Sequence, residues 1–140
     1  MNDRASASPA SADTAPVRVQ VLYADDVREL RQLMRHALTV AGFAITCVPD
    51  GADAWAEIQR HPAQYHVLIT DHHMPQMSGL ELVRRLRQSD FAGRIIVISS
   101  ELGESTDLAY HELNVDALLK KPVKFTQLPD LIRRLTAACR

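Results

Sequence analysis

At 140 residues the chain holds one domain's worth of core, and its 46% apolar and 24% charged content is that of an ordinary globular fold. A formal net charge of −1 gives no electrostatic basis for DNA, RNA or an anionic membrane as a main partner. No apolar run approaches the length of a membrane span, and the N-terminus lacks the apolar centre of a secretion signal. Cys47 and Cys139 lie far apart and read as reduced thiols of a cytoplasmic protein rather than as a disulfide.

Residues 1–16 are mostly Ala, Ser, Asp and Pro without periodicity. Such a segment cannot bury enough surface to offset its ordering entropy, and it is expected to be a disordered leader ahead of a domain over 17–140. The β-branched run Val17 to Ala24 predicts the first strand, which ends in Asp25-Asp26. Val27, Leu30, Leu33, Met34, Ala37, Leu38 and Ala41 recur at helical spacing, and Gly42 stands where a left-handed helix cap is wanted. Phe43 to Val48 reads as a second strand, closed by the turn Pro49-Asp50-Gly51. Ala54, Trp55 and Ile58 mark one face of a second helix ending near His61-Pro62, with Trp55 as core packing.

Val67-Leu68-Ile69-Thr70 has no polar alternation, the pattern of a strand buried on both faces of a parallel sheet. It stops on Asp71, and His72, His73, Met74 and Pro75 follow before Ser78-Gly79 opens a third helix. Leu80, Val83 and Leu86 form that helix's buried stripe, with Arg84, Arg85 and Arg87 as a solvated face. Arg94 to Ser99 is another fully buried strand. Glu104 to about Leu113 is a more polar helix, and Tyr110 on it reads as an ordinary half-exposed tyrosine. Val115 to Lys120 makes a short fifth strand, and Phe125, Leu128, Leu131, Ile132 and Leu135 stripe a last helix. Five strands alternating with five helices imply an α/β fold, a doubly wound parallel sheet with right-handed crossovers. Periodicity leaves the strand order open.

Four polar features fall at strand ends: Asp25-Asp26, Asp71, Ser99-Ser100 and Lys121-Pro122. Each alone has an ordinary explanation. Asp26 suits a helix cap, Ser99 a turn, and Lys121 the surface. The neighbouring pair His72-His73 does not make a zinc site, because adjacent residues rarely aim at one metal and no third His or Cys lies nearby. Ligands in open α/β sheets bind beyond the carboxyl ends of the strands, so the four features converge on one mouth. Carboxylates gathered there repel one another and call for a hard divalent cation such as Mg²⁺. In that setting Asp71 is a nucleophile able to form an acyl phosphate, with Lys121 and the Ser99 hydroxyl facing phosphoryl oxygens.

The order and spacing of Asp25-Asp26, Asp71 with Met74-Pro75 and Gly79, Ser99, and Lys121-Pro122 resemble the receiver domain of two-component response regulators, over about Val17 to Ala138. The resemblance implies a flavodoxin-like, CheY-like sheet of order 2-1-3-4-5. It implies that Asp71 is the phosphoacceptor and that Asp26, Asp71 and the His73 carbonyl hold Mg²⁺ or Mn²⁺, with Asp25 helping through water. It implies further that Lys121 contacts the phosphoryl group across a cis Lys121-Pro122 peptide, and that the N–H groups of His72 and Ser100 donate to it. His73 and Glu101, two positions beyond Asp71 and Ser99, are where the family tunes hydrolysis. The implied donor is a sensor histidine kinase or a phosphotransfer protein, and the implied chemistry is self-directed phosphotransfer and autodephosphorylation rather than turnover of a substrate.

Where the family often carries an aromatic residue three positions before the lysine, this chain has Leu118, so the usual ring movement of the switch has no residue at that place; Tyr110 on the fourth helix is the alternative to it, set against its ordinary half-exposed reading, and movement of Ser99 still reshapes the docking surface. No output domain follows the last helix in the sequence, which points to a stand-alone regulator acting through an effector protein at the fourth helix, fifth strand and fifth helix. Two further readings share the fold: a phosphorelay intermediate and a pseudo-receiver that is never phosphorylated. A phosphohydrolase of Asp-x-Asp type is disfavoured by His73 in place of the second aspartate. A flavodoxin-type cofactor binder is disfavoured by Asp25-Asp26 where a phosphate cradle is needed.

Overall fold

The computed structural model describes residues 18–100 and 103–137. The expected leader, Glu101 and Cys139 lie outside the described residues. Five parallel strands, β1 (Gln20–Ala24), β2 (Ala44–Val48), β3 (Val67–Asp71), β4 (Arg94–Ser99) and β5 (Ala117–Lys120), form one sheet in the order β2-β1-β3-β4-β5. The helices between and after them are α1 (Arg28–Val40), α2 (Gly51–Arg60), α3 (Gly79–Arg87), α4 (Glu104–Glu112) and α5 (Leu128–Ala137). The α/β class, the doubly wound architecture and the 2-1-3-4-5 order therefore match expectation. β1 is shorter than its β-branched run suggests, because Arg18 and Val19 stay outside the sheet.

The strand pleat explains why the central runs carry no alternation. Leu22, Ala24, Leu68, Ile95 and Val97 pack on one face with Ala54 and Ile58 of α2, Leu82, Val83 and Leu86 of α3, and Tyr110 of α4. Val21, Tyr23, Val67, Ile69, Ile96 and Ile98 face the other way, onto Met34 and Leu38 of α1 and Leu128 and Ile132 of α5. Alternate residues serve opposite cores, so every position must be apolar.

Helix ends follow local chemistry. Asp50 caps α2 by accepting from the Asp53 N–H at 2.8 Å, and Ser78 caps α3 by accepting from the Glu81 N–H at 3.2 Å. Gly42, after α1, takes φ +99°, the left-handed conformation expected of it. Asp26 caps nothing: the N-cap of α1 is Val27, and the side chain that receives its N–H is Asp25.

Three expected burial patterns are corrected. Leu33 is 54% exposed and Val27 39%, since the buried arc of α1 is set by Met34 and Leu38. In α3, Leu82 is fully buried while Leu80 is only half-buried. Tyr110 is wholly buried, not half-exposed. Arg87 is exposed yet not idle: its guanidinium donates to the Leu113 and Asn114 carbonyls and pins the end of α4 to α3. Trp55 is half-buried against the core, with the Arg85 guanidinium 5.8 Å from its ring centre.

Candidate functional site: an acidic mouth at the strand ends

The carboxyl ends of β1, β3, β4 and β5 meet at one edge of the sheet. Register pairs Asp71 with Ile98 and Ser99 with Lys120, which sets the ends of β3 and β4 and the start of the Lys121 loop side by side. The sequence-predicted residues Asp25, Asp26, Asp71, Ser99 and Lys121 are thereby brought to the same region.

Asp25 is fully buried and firmly held. Its Oδ2 accepts from the Tyr23 hydroxyl at 2.5 Å, its Oδ1 accepts from the Val27 N–H at 2.9 Å, and its carbonyl accepts from Arg31 Nη1 at 2.8 Å. Tyr23 lies two residues before Asp25 on β1, where side chains two apart share a face. That spacing is the signal by which the sequence shows the pair, though Tyr23 was not among the predicted site residues. Burial first, and then the Asp25 carboxylate, push the Tyr23 phenol far above its ordinary value, so it remains a donor.

Asp71 is 4% exposed. Its Oδ1 lies 3.3 Å from Lys121 Nζ and accepts from the His72 N–H at 3.0 Å. Lys121 Nζ is 3.9 Å from Asp25 Oδ2, so one ammonium serves two carboxylates. Burial raises the Asp71 carboxyl above the usual range, and the Asp25 charge adds to this, while Lys121 and the His72 N–H act in the opposite direction.

Asp26 is exposed, but a carboxylate oxygen from each of Asp25, Asp26 and Asp71 falls within 4.8 Å of the others. Among the described residues this is the one cluster suited to a metal; His72 and His73 do not join in one. Three carboxylates against a single ammonium leave surplus negative charge, and all-oxygen donors with one solvent-facing side suit a hard, partly hydrated divalent ion. The donor set therefore fits Mg²⁺, the ion that the resemblance implies.

Ser99 is fully buried at the end of β4, and its carbonyl accepts from the Lys121 N–H at 2.8 Å. Ser100 is exposed. The Lys121-Pro122 peptide is cis, as the resemblance implies. The His72 N–H is shared between Asp71 Oδ1 and the Ile98 carbonyl, each at 3.0 Å. The ring of exposed His73 meets that of His72 edge-on, with centroids 4.7 Å apart.

The loop after Asp71 is packed closely. A Cβ on Gly79 would lie 2.4 Å from the Asp71 carbonyl oxygen, so only glycine fits without displacing backbone. The Gly79 N–H donates to the His72 carbonyl at 2.9 Å. His72 Nδ1 and the Tyr110 hydroxyl are 2.5 Å apart. Sequence reading missed this pair, which joins residues 38 positions apart. Such a contact depends on where α4 docks, and no local spacing encodes it.

The model of the response regulator receiver domain matches residues 21–133. The receiver protein CpdR of Brucella abortus is 32% identical over 116 residues, which are 83% of this chain and 89% of CpdR. The transcriptional regulatory protein TctD of Salmonella typhimurium is 31% identical over 117 residues, 84% of this chain, and the matching part is about half of TctD, 51% of its length. The solved chemotaxis protein CheY4 of Vibrio cholerae superposes with a TM-score of 0.76 at 29% identity, covering 85% of this chain and 99% of that one. Sequence match, sheet order and the acidic mouth agree: the chain belongs to the family of response regulator receiver domains.

Proposed function

We propose that Asp71 accepts a phosphoryl group from a phosphohistidine on a sensor histidine kinase or phosphotransfer protein, and that the modified domain changes its affinity for a downstream protein. The observation that carries this reading is the buried carboxylate of Asp71, 3.3 Å from Lys121 Nζ and clustered with Asp25 and Asp26. In the reaction a carboxylate oxygen of Asp71 forms the new bond to phosphorus. The bond from phosphorus to the donor imidazole nitrogen breaks, and the imidazole keeps that electron pair.

Asp25, Asp26, Asp71 and the His73 carbonyl are the proposed holders of Mg²⁺ or Mn²⁺, which when bound supplies positive charge for the phosphoryl oxygens. Lys121 exchanges its ion pair with Asp71 for a phosphoryl oxygen, the Ser99 hydroxyl donates to another, and the N–H groups of His72 and Ser100 complete the cradle. Hydrolysis of the acyl phosphate resets the domain, and His73 and Glu101, at the positions where the family tunes this step, set its rate. The chemistry is self-directed, so the domain works as a switch and not as an enzyme with turnover. Added negative charge at the strand ends is read by the surface of α4, β5 and α5, where an effector protein docks. The phosphodonor and effector chemistry belong to the cytoplasm. Among the described residues, no helix is long and apolar enough to cross a membrane.

Intact-protein mass after incubation with Mg²⁺ and a small acyl phosphate tests the reading. One phosphoryl increment is expected, absent in Asp71→Asn and absent with a chelator. An increment that persists in Asp71→Asn would move the phosphoacceptor elsewhere. No increment in the wild type, from the acyl phosphate or from a phosphorylated kinase, would leave a binding module that is never phosphorylated.

A further inference from the structure

Helix α4 is polar around most of its surface and buries little of itself. Of its nine residues only Tyr110 is fully buried, while Leu108 is 59% exposed. The hydroxyl of that single anchor ends 2.5 Å from Nδ1 of His72, the residue next to the phosphoacceptor, and the two rings meet edge-on at 5.5 Å. Gly79 leaves the space for it, since a Cβ there would stand 3.1 Å from the Tyr110 hydroxyl oxygen.

His72 in turn holds Asp71. Its N–H donates to Asp71 Oδ1 at 3.0 Å, and its carbonyl is fixed by the Gly79 N–H at 2.9 Å. A continuous path of bonded groups therefore runs from the Asp71 carboxylate, through the His72 backbone and ring, to the Tyr110 hydroxyl and α4. Burial, with the Asp71 charge as a second cause, raises the Tyr110 phenol well above its ordinary value, so the hydroxyl keeps its proton. Position 118, on β5, holds leucine, which has no polar atom with which to report on the site.

We infer that Tyr110 is a positioning residue for the phosphoacceptor, acting through His72, and that this one hydrogen bond couples the state of Asp71 to the docking of α4. The inference rests on the phosphoacceptor reading given above for its consequence. The His72–Tyr110 coupling itself can be measured without phosphorylation. A phosphoryl group on Asp71 alters what the His72 N–H bonds to, the ring moves with its backbone, and α4 loses or resets its one deep anchor.

The test compares wild type, Tyr110→Phe, His72→Ala and the double variant by amide hydrogen exchange of α4, first unphosphorylated. Tyr110→Phe keeps the ring in the core and removes only the hydroxyl. It is expected to speed α4 exchange about fivefold, the factor corresponding to one net hydrogen bond. Adding His72→Ala should bring little further change, because both substitutions remove the same contact. Unchanged α4 exchange in Tyr110→Phe, or effects that simply multiply in the double variant, would overturn the coupling.

The second arm repeats the measurement with Mg²⁺ and a small acyl phosphate, following uptake by intact mass. Tyr110→Phe should take up phosphoryl more slowly than wild type, and its α4 should no longer respond when it does. Wild-type uptake rate and a wild-type α4 response in Tyr110→Phe would overturn the positioning role. A wild type that takes no phosphoryl group from the acyl phosphate or from a phosphorylated kinase defeats the phosphoacceptor reading and the positioning role together, whereas the exchange arm alone decides the His72–Tyr110 link.

Discussion

Lys121 Nζ stands 3.3 Å from Asp71 Oδ1, yet the Asp71 carboxyl still holds its proton more tightly than an ordinary aspartate. Burial, reinforced by the Asp25 charge, outweighs the ammonium and the His72 N–H. An ionised Asp71 is therefore a cost to the metal-free fold at neutral pH. A carboxyl whose folded-state pKa is raised contributes stability below its unfolded value and loses that contribution as pH rises through the folded value. Asparagine does not titrate. Denaturant unfolding without divalent metal should show Asp71→Asn more stable than wild type at about pH 7, with the gap closing toward about pH 3. Added Mg²⁺ should stabilise the wild type more than the variant, because it binds only the folded acidic cluster. A neutral-pH midpoint no higher in Asp71→Asn would mean that the Lys121 attraction dominates after all.

Gly79 is the tightest point of the loop that carries the site. A Cβ there meets the Asp71 carbonyl oxygen at 2.4 Å and His72 Cα at 3.0 Å, and neither is the free end of a flexible side chain. Gly79→Ala must displace backbone beside the phosphoacceptor and is expected to cost about 1–3 kcal/mol in unfolding free energy, in line with other overpacked sites. Phosphoryl uptake should fall as well, since the carbonyl being pushed belongs to Asp71 itself. Wild-type stability in the alanine variant would show that the loop relaxes without strain.

Much of this site was legible in sequence because each polar residue stands at the end of an apolar run. Asp71 closes Val67–Thr70, Ser99 closes Ile95–Ile98, and Asp25 closes Val21–Ala24, so the ends of the apolar runs place all three at the carboxyl edge of one parallel sheet. What escaped were relations between elements. Tyr110 reads as half-exposed because α4 is polar around most of its surface, and nothing local shows that its ring reaches a histidine 38 residues earlier. Leu33 differs for the complementary reason: helical spacing defines a stripe wider than the arc of α1 that packs on the core around Met34 and Leu38. The Asp25–Tyr23 bond was within reach of a period-2 argument.

Leu33 and Leu38, both on α1, offer a direct check on that last distinction. Leu38 is fully buried against the sheet and Leu33 is 54% exposed. Leu38→Ala should cost about 2–5 kcal/mol through lost transfer energy and the cavity left behind. Leu33→Ala should stay within about 0.5 kcal/mol of wild type, as surface changes away from specific contacts do. Equilibrium urea unfolding of both variants is sufficient. A large loss at Leu33 would place a partner surface over the exposed side of α1 under the conditions of measurement.

The Tyr65–Glu57 pair predicts a pH-dependent contribution far from the acidic mouth. The buried Tyr65 hydroxyl donates to Glu57 Oε2 at 2.5 Å, and Arg60 Nη2 donates to the other carboxylate oxygen at 3.0 Å. The tyrosine bond, then the arginine, hold the Glu57 carboxyl below the usual carboxylate range, and burial, with the bond to Glu57, raises the phenol. A depressed carboxyl contributes stability above its unfolded pKa and loses it as pH falls through the folded value. Tyr65→Phe removes the larger of the two bonds while keeping the ring in the core. The variant should lose about 1.5–3 kcal/mol at about pH 7, a range set by a hydrogen bond to a charged acceptor, and the deficit should shrink as pH falls below about 4. A deficit that stays constant with pH would assign the loss to ring packing instead of to the bond with Glu57.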